Sequence, residues 1–441
     1  MARPKLSAHM NVYMNGEEVG RLTSASTGQR QFVYTEAWLQ SELSRPISLS
    51  LPLTSQPYRG KIVENYLDNL LPDAQSIKNR IQTRFRANSN NSFDLLWHIG
   101  RDCVGAIQLL PEGLSVGNVK TIKAEPQTNT QIAHILHNYK SAPLGMEEDD
   151  DDDFRISIAG AQEKTALLKQ GNQWYKPLGS TPTSHIFKLP IGHIKNGLID
   201  MTESVENEWL CHLIFKAYSI PTAEAEIGVF DDAKALIVTR FDRRWSDDGS
   251  WLIRLPQEDL CQSLNIPPAL KYENKGGPGI EDIMSILAQS ENFIKDRYVF
   301  FKTQLLFWLL AAIDGHAKNF SIFLLPGGGY KLTPIYDVLS AHHLAENGQI
   351  LPQHLKMAMS VKGKNKHYGW ERILPRHWFS MATICHFSSD QVRKIINELI
   401  ESLDTIIDQV GSQLPTDFPS RVSGPIFNGM LVARDIFIKS S

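Results

Sequence analysis

Asp314, Asn319, Asp337 and Lys188 have the side-chain types and spacing that phosphoryl transfer needs. The segment Asp314-Gly315-His316-Ala317-Lys318-Asn319-Phe320 follows a long apolar stretch, and Gly after Asp there predicts an abrupt turn at a helix end. Ser321 to Leu325 reads as a strand, Pro326 to Gly329 as a turn, and Tyr330 to Tyr336 as the returning strand. Pairing this hairpin about its centre sets Asn319 beside Tyr336 and brings Asp337 to the same open end. Two oxygen ligands so placed suit Mg²⁺, which takes one or two protein oxygens together with phosphate and water. A carboxylate such as Asp314 can position an attacking hydroxyl and accept its proton. The spacing Asp-x-x-x-x-Asn, with a later Asp, is that of a protein-kinase catalytic loop. The bland alternative is that Asp314 caps a turn while Asn319 and Asp337 merely end strands.

Ser184 to Pro190 alternates, so Ser184, Ile186 and Lys188 share one face. Lys188 between Phe187 and Leu189 is expected in a partly buried strand, where an ammonium needs a partner or an anionic ligand. Glu206 or Glu208, on an expected helix Ser204 to Tyr218, could serve; the spacing does not choose between them. Gly160-Ala161-Gln162-Glu163-Lys164-Thr165 is not a P-loop, because Glu163 and Ile158 stand where glycines are required. The small residues Ala159, Gly160 and Ala161 would still let backbone N–H groups approach a phosphate, or would simply form a tight hairpin. Gly113 to Gly117 spells GxSxG, but the polar sequel with Pro126 is no nucleophile-elbow helix. The histidines show no HExxH spacing, and adjacent His342-His343 are not expected to form a zinc site.

Several elements must position these residues. Asn15-Gly16 predicts a hairpin between Val12–Met14 and Val19–Leu22. Further strands are expected at Phe32–Tyr34, Ile47–Leu51 and Val104–Leu110, with helices at Tyr66–Ile81 and Phe93–Ile99. These make one small α+β unit, residues 1–115. Residues 116–153 read as a connector with a helix at Gln131–Tyr139, ending in the acids 147–153, a solvated loop by self-repulsion. Residues 154–242 are strand-rich, with pieces at Arg155–Ile158, Lys164–Leu168, Trp174-Tyr175, His185–Leu189 and Ala235–Thr239. Residues 243–441 are helical, most clearly at Ile280–Gln289, Asp296–Ile313 and Ser389–Gln413. Strands followed by helices argue for a two-lobed α+β arrangement.

The 441 residues carry 45 Lys+Arg against 48 Asp+Glu, a net charge of −3, which excludes bulk electrostatic binding of nucleic acid or acidic membrane. The longest apolar run, Leu305 to Ile313, is far short of the ~20 residues of a spanning helix. No apolar stretch follows Met1, so no signal peptide is expected. Cys103, Cys211, Cys261 and Cys385 are dispersed without CxxC, as in a reducing, cytoplasmic compartment. A local basic stretch, Lys362, Lys364, Lys366, Arg372 and Arg376, is interleaved with Tyr368 and Trp370 and would suit a phosphate backbone or plain solvent.

Ser48 to Leu53, Phe93 to Leu96, Ile99 to Asp102 with Val104-Gly105-Ala106, and Phe154 to Ala166 form a distinctive set of segments. Lys188 to Gly192, Arg240 to Arg244, Arg254 to Asp259, Gly276 to Gly279, Asp314 to Asn319 and Leu414 to Pro419 complete it. Over nearly its whole length the chain resembles the HipA toxin kinases, the serine/threonine kinase half of the bacterial HipBA toxin–antitoxin module. The resemblance implies an α+β, two-lobed protein-kinase-like fold with a small N-terminal α+β subdomain packed on the strand-rich lobe. It implies ATP and Mg²⁺ as cofactors, Asp314 as catalytic base, and Asn319 and Asp337 as metal ligands. Lys188 would contact phosphates, His316 and Tyr336 would lie near the nucleotide, Phe241 would line the adenine hinge, and Val104 would reach in from the N-terminal unit. Ser157, Ile158, Ala159, Gly160, Ala161 and Gln162 would cover the phosphates, and autophosphorylation of Ser157 would expel that loop. The implied substrate is a serine of glutamyl-tRNA synthetase, whose loss of charging halts growth and favours persistence. The implied partners are a HipB-like helix-turn-helix antitoxin and, through it, operator DNA, making the chain a co-repressor; no membrane is involved. Thr239 departs from the acidic hinge residue of the family, and Lys318 stands four residues after the base, not two. The rival readings are a binding protein with a dispensable kinase site and a small-molecule kinase of aminoglycoside or lipid type.

Overall fold

The computed structural model describes residues 8–25, 28–141, 162, 164–194 and 197–440. The acidic run 147–153, the strand expected at 155–158, and Ser157, Ile158, Ala159, Gly160 and Ala161 of the expected phosphate cover lie outside them. Three apolar cores organise the chain. The first, with Met10, Val12, Phe32, Leu67, Phe93 and Leu96, belongs to the N-terminal unit. Its five-stranded antiparallel sheet runs in the order Tyr58–Arg59, Arg30–Tyr34, Glu17–Ser24, Ala8–Met14, Ile107–Pro111. Asn15 and Gly16 turn the expected hairpin, both at positive φ (48° and 93°), as a tight primed turn requires.

The second core holds Ile132, Leu136, Leu167, Trp174, Phe187, Phe230 and Ile237. It lies under a six-stranded sheet ordered Ala225–Phe230, Ala233–Thr239, His185–Lys188, Lys164–Gln170, Gln173–Pro177, Ala124–Gln127. Residues 124–141 are therefore not mere connector. Ala124–Gln127 pairs with Gln173–Pro177 as the edge strand. The helix Asn129–Ser141 buries Ile132, Ala133 and Leu136 on the same sheet. The third and largest core, with Phe300, Phe301, Phe307, Trp308, Phe320 and Trp378, fills the helical lobe. Among the described residues no helix is long and apolar enough to cross a membrane, and all four cysteines are buried thiols.

Several expected elements are cut short, each for a local reason. Ile47–Leu51 is a turn, not a strand: Leu49 N–H is taken by Glu258 Oε1 (2.8 Å), Ser50 N–H by Ser48 Oγ (3.1 Å), and Leu51 N–H closes back on the Ser48 carbonyl (2.9 Å). Pro72 splits the expected Tyr66–Ile81 helix into Lys61–Asn69 and Gln75–Arg84. The Ser389–Gln413 helix breaks into Ser389–Ile400 and Leu403–Gly411, where Ser402 Oγ bonds back to the Glu398 carbonyl at 2.5 Å. The strand expected from Val104 starts only at Ile107, because Gly105 (φ 74°) is a contact point: a Cβ there would stand 2.6 Å from the Gln257 carbonyl oxygen. The helix before Asp314 spans Phe293–Leu309 and turns at Ala311 (φ 46°), not at Gly315. Gly315 is needed for closeness, since a Cβ would meet the Phe307 ring at 2.2 Å.

One buried charge cluster holds the three parts in register. Asp102 of the N-terminal unit accepts from Arg243 (2.9 Å), Arg254 (3.1 Å), Arg240 (3.3 Å) and the Thr183 hydroxyl (2.7 Å). Asp242 shares Arg240 (2.8 Å) and Arg243 (3.0 Å) and accepts from Gly105 N–H (2.7 Å). Burial opposes the Asp102 charge, but the three guanidinium groups hold its carboxyl well below the usual range. The N-terminal unit thus packs on the strand-rich lobe, and it also reaches the helical lobe through Asn65–Asn265 (2.9 Å) and Asn69–Ile266 (2.9 Å). Asp102→Asn leaves buried Arg254 without a carboxylate and Arg240 and Arg243 with Asp242 alone, and is expected to lower unfolding free energy by about 3–5 kcal/mol in denaturant titration. Because the folded-state value is depressed, this stability is present above the unfolded carboxyl pKa of about 3.9 and fades as pH falls below it. The wild type should lose stability in that acid window, and the variant should show a flatter profile there.

Candidate active site

Lys188 ends the central strand of the six-stranded sheet, opposite Lys164 on one neighbour and Leu236 on the other. Lys188 is 7% exposed, and its ammonium lies 2.5 Å from Glu208 Oε1 and 2.7 Å from Asp337 Oδ1. That settles the open pairing in favour of Glu208; Glu206 pairs with Lys234 instead. Burial disfavours the Lys188 charge, yet Asp337 and Glu208 outweigh it and raise its pKa. Burial likewise opposes the Asp337 charge, while Lys188 and Lys164 bring its carboxyl well below the usual range. Lys164 itself is pulled down to about 8 by burial, with Asp337 opposing.

The hairpin that brings Asp337 to Asn319 forms as expected, but its return strand is only Tyr330–Leu332. Pro334 cannot donate to a ladder. The chain instead folds inward, with Ile335 N–H bonded to the Pro221 carbonyl at 2.8 Å. Asp337 then adopts a positive φ of 62°, a strained conformation for a non-glycine residue that aims its carboxylate at Lys188. Asn319 Nδ2 donates to the Asp337 carbonyl at 3.4 Å, while Asn319 Oδ1 is buried with no partner. That orphan oxygen and the Asp337 carboxylate form an all-oxygen donor pair, which fits Mg²⁺ held jointly with phosphate. Among the described residues no cluster of three His, Cys, Asp or Glu side chains could hold a metal unaided.

Asp314 is 61% exposed, facing outward from the loop. Desolvation by the surrounding protein raises its carboxyl above the usual range; the Tyr272 bond lowers it again and the Asp337 charge adds to the rise. His316 Nε2 is 4.0 Å from Asp314 Oδ1, too far to bond, and burial pushes the imidazole down to about 3, so it is neutral. Tyr336 anchors the loop by donating to the Lys318 carbonyl (2.9 Å), and its ring lies 5.6 Å from Phe241. Val104 follows Cys103, whose carbonyl accepts from Arg240 (2.9 Å) and Arg243 (3.0 Å), so the N-terminal unit is delivered to the Phe241 segment. Gln162 Nε2 donates to the Leu189 carbonyl at 2.6 Å, beside Lys188.

Two residues, Tyr272 and Lys271, escape the sequence reading, as do the partners of Lys318. Tyr272 O–H donates to Asp314 Oδ1, and its ring meets His316 edge-on at 4.9 Å. Lys271 binds Asp73 of the N-terminal unit at 2.7 Å. Lys318 points away from the base, to Asn69 Oδ1 (2.9 Å), Asp73 (3.4 Å) and Asp259 (3.5 Å). The available signal was the glycine cluster at 276–279, which shapes the loop carrying Tyr272. A Cβ on Gly277 would stand 2.0 Å from the Leu270 carbonyl oxygen, and one on Gly279 2.6 Å from the Glu273 carboxyl. The basic stretch is less open than its spelling: Lys362 pairs with Glu281 (2.9 Å), Lys366 with Glu273 (2.7 Å). Trp370 is buried against Trp308, so it cannot stack on a base. Lys364, Arg372 and Arg376 stay exposed.

A strand-rich lobe presenting a paired lysine, joined to a helical lobe presenting Asp-x4-Asn and a hairpin Asp, defines a protein-kinase-like phosphotransferase fold. The description HipA-like C-terminal domain matches residues 156–407 and HipA N-terminal domain matches residues 10–110, and the chain belongs to the HipA family. It is 31% identical over 405 residues to the Sinorhizobium fredii protein Y4mE, covering 91% of each chain. It is 28% identical over 345 residues to the serine/threonine-protein kinase toxin HipA of Shewanella oneidensis, covering 75% of each. Its fold matches the structure of a Shewanella oneidensis HipA, HipB and operator DNA complex with a TM-score of 0.80 at 22% identity, over 98% of this chain and 97% of that one.

Tyr272→Phe removes a hydrogen bond that favours ionised Asp314, so that carboxyl's pKa rises; if Asp314 acts as the base, the acidic limb of the rate profile moves to higher pH. A kcat loss of roughly tenfold is expected, the order of one hydrogen bond to a charged group. An unchanged limb would remove Tyr272 from the positioning of the base.

Proposed function

We propose that the protein is a serine/threonine protein kinase that transfers the γ-phosphate of ATP to a serine of a protein and to its own Ser157. The observation that carries this reading is the convergence of Lys188, Glu208, Asp337 and Asn319 beside an exposed Asp314. Lys188, held protonated between two carboxylates, would meet phosphate oxygens. Asn319 and Asp337 would hold Mg²⁺, which when bound supplies charge neutralisation for the phosphates. Asp314 orients the acceptor hydroxyl and takes its proton, and its raised affinity for protons suits that role. Phe241, Tyr336 and Val104 supply an apolar wall for the base, with His316 behind the loop. Gln162, bonded to the Leu189 carbonyl beside Lys188, would contribute to the phosphate cover. Phosphate on Ser157 adds about −1.5 to −2 charge, which would be repelled by the triphosphate's own charge and silence the site.

The family supports a toxin role: a kinase arresting growth by modifying a translation protein, with glutamyl-tRNA synthetase as the substrate the resemblance suggests. Incubation with ATP and Mg²⁺ is expected to place phosphoserine at position 157 in the wild type, detected by mass spectrometry. Asp314→Gln should reduce that transfer by about 10²–10⁴-fold. Intact ATP binding with no phosphate on any serine rejects the kinase reading.

A second, compatible role is co-repression with a HipB-like antitoxin. It is favoured by the exposed cations Lys364 and Arg376 and by the relative whose structure contains HipB and operator DNA. In a DNA shift assay with antitoxin present, Lys364→Glu/Arg376→Glu should weaken the ternary complex and reduce its salt dependence. An unchanged shift rejects that contact.

A further inference from the structure

Two residues beyond Tyr272, Asn274 enters the wall of a cavity of about 310 Å³ that it shares with Lys356, Lys366, His367, Tyr368 and Arg372. Lys356 and Arg372 are exposed, and neither cation meets a carboxylate or other hydrogen-bonding partner among the described residues. Lys366 pairs with Glu273 at 2.7 Å, and Asp282 adds a second negative charge nearby. The Glu273 carboxylate is already shared with the Ser360 N–H (2.5 Å) and hydroxyl (2.9 Å). The walls are firm. Lys356 and Gly369 are cross-strand partners, and His367 stacks on His377 with ring centres 3.8 Å apart. The cavity therefore gathers three cations, two of them without a carboxylate partner among the described residues, on a concave surface, where a carboxylate binds more strongly than on an open face.

Its position relative to the base gives the cavity a role. The Cα atoms of Tyr272 and Asn274 are at most about 7.6 Å apart across two trans peptides. Tyr272 itself touches Asp314. An extended peptide advances about 3.3 Å per residue. One with its serine at Asp314 therefore reaches the cavity within about three to five residues. We propose that the cavity is a docking site for an acidic side chain of the protein substrate, so that the kinase selects serines with Asp or Glu a few residues away. This rests on the kinase reading and adds the substrate's charge class. The Arg372 fork suits bidentate pairing with a carboxylate. A nucleic-acid backbone would need a continuous cationic strip, and here that strip is interrupted by the Lys362–Glu281 pair and by buried Trp370.

The test is fluorescence anisotropy with the full chain and labelled peptides containing one serine, flanked at three to five residues by Asp and Glu or by Ala. The acidic peptide is expected to bind the wild type at least tenfold more tightly than the neutral one. Lys356→Ala/Arg372→Ala should abolish that difference. Both residues are exposed, so the fold should hold by thermal melt; if the double variant melts early, single Arg372→Gln reads the same preference. Equal binding of the two peptides, or a preference that survives in the variants, overturns the proposal. So does a random DNA duplex that binds through the same two residues while the acidic peptide does not. Phosphate transfer is scored separately with the same peptides. Transfer without charge preference rejects the cavity and keeps the kinase; charge-dependent binding without transfer rejects the kinase and keeps the cavity.

Discussion

Asp102 is a single carboxylate with three arginines around it, and the geometry of the whole molecule depends on that arrangement. Arg240 and Arg243 belong to the segment leaving the strand-rich sheet, Arg254 to the chain entering the helical lobe, and Asp102 to the N-terminal unit. Buried charges tolerate little error in placement, since each must find its counter-charge or bear its desolvation cost alone. A shift of any unit by a few ångströms would leave a guanidinium unpaired. Apolar packing alone tolerates sliding; this cluster does not, and it ties Cys103, next to Val104, to Arg240, next to Phe241.

The second charged node sits where phosphate chemistry is expected. Lys188 comes from a sheet, Glu208 from a helix of the same lobe and Asp337 from the hairpin of the other. Closing the lobes thus places a protonated lysine and an ionised aspartate at one point. The positive φ of Asp337 is the local strain accepted to aim that carboxylate. Asn319 Oδ1 remains buried and unpaired beside it, a cost that an ion with oxygen ligands would remove.

The N-terminal unit is more than a neighbour of the catalytic loop. Asp73 holds Lys271 and Lys318, which flank Tyr272 and Asn319 in sequence. Burial opposes the Asp73 charge, but the two lysines lower its pKa and keep it ionised. The displaced position of Lys318, four after Asp314, is explained by this tether. It serves the joint between units and leaves Asp314 to Tyr272.

The hydrophobic periodicity, the Asn15-Gly16 turn, the central strand with Lys188 and the Asp314–Asn319–Asp337 spacing were legible in the residues, because each depends on local backbone geometry and on neighbours within one hairpin or strand. Glu208 over Glu206, the Tyr272 contact, the Asp73 tether and the ion-paired lysines at 362 and 366 were not. Neither was the role of residues 124–141 in the sheet, nor Gly105 as a contact point. All of these join parts of the chain far apart in sequence. Whether a charged side chain is free, paired or buried is a property of what the fold packs against it, and no spacing along the chain encodes that. The sequence by itself determined which chemistry the chain carries. The tertiary structure decided which partners hold that chemistry in place, because ion pairing and desolvation are set by distances in space.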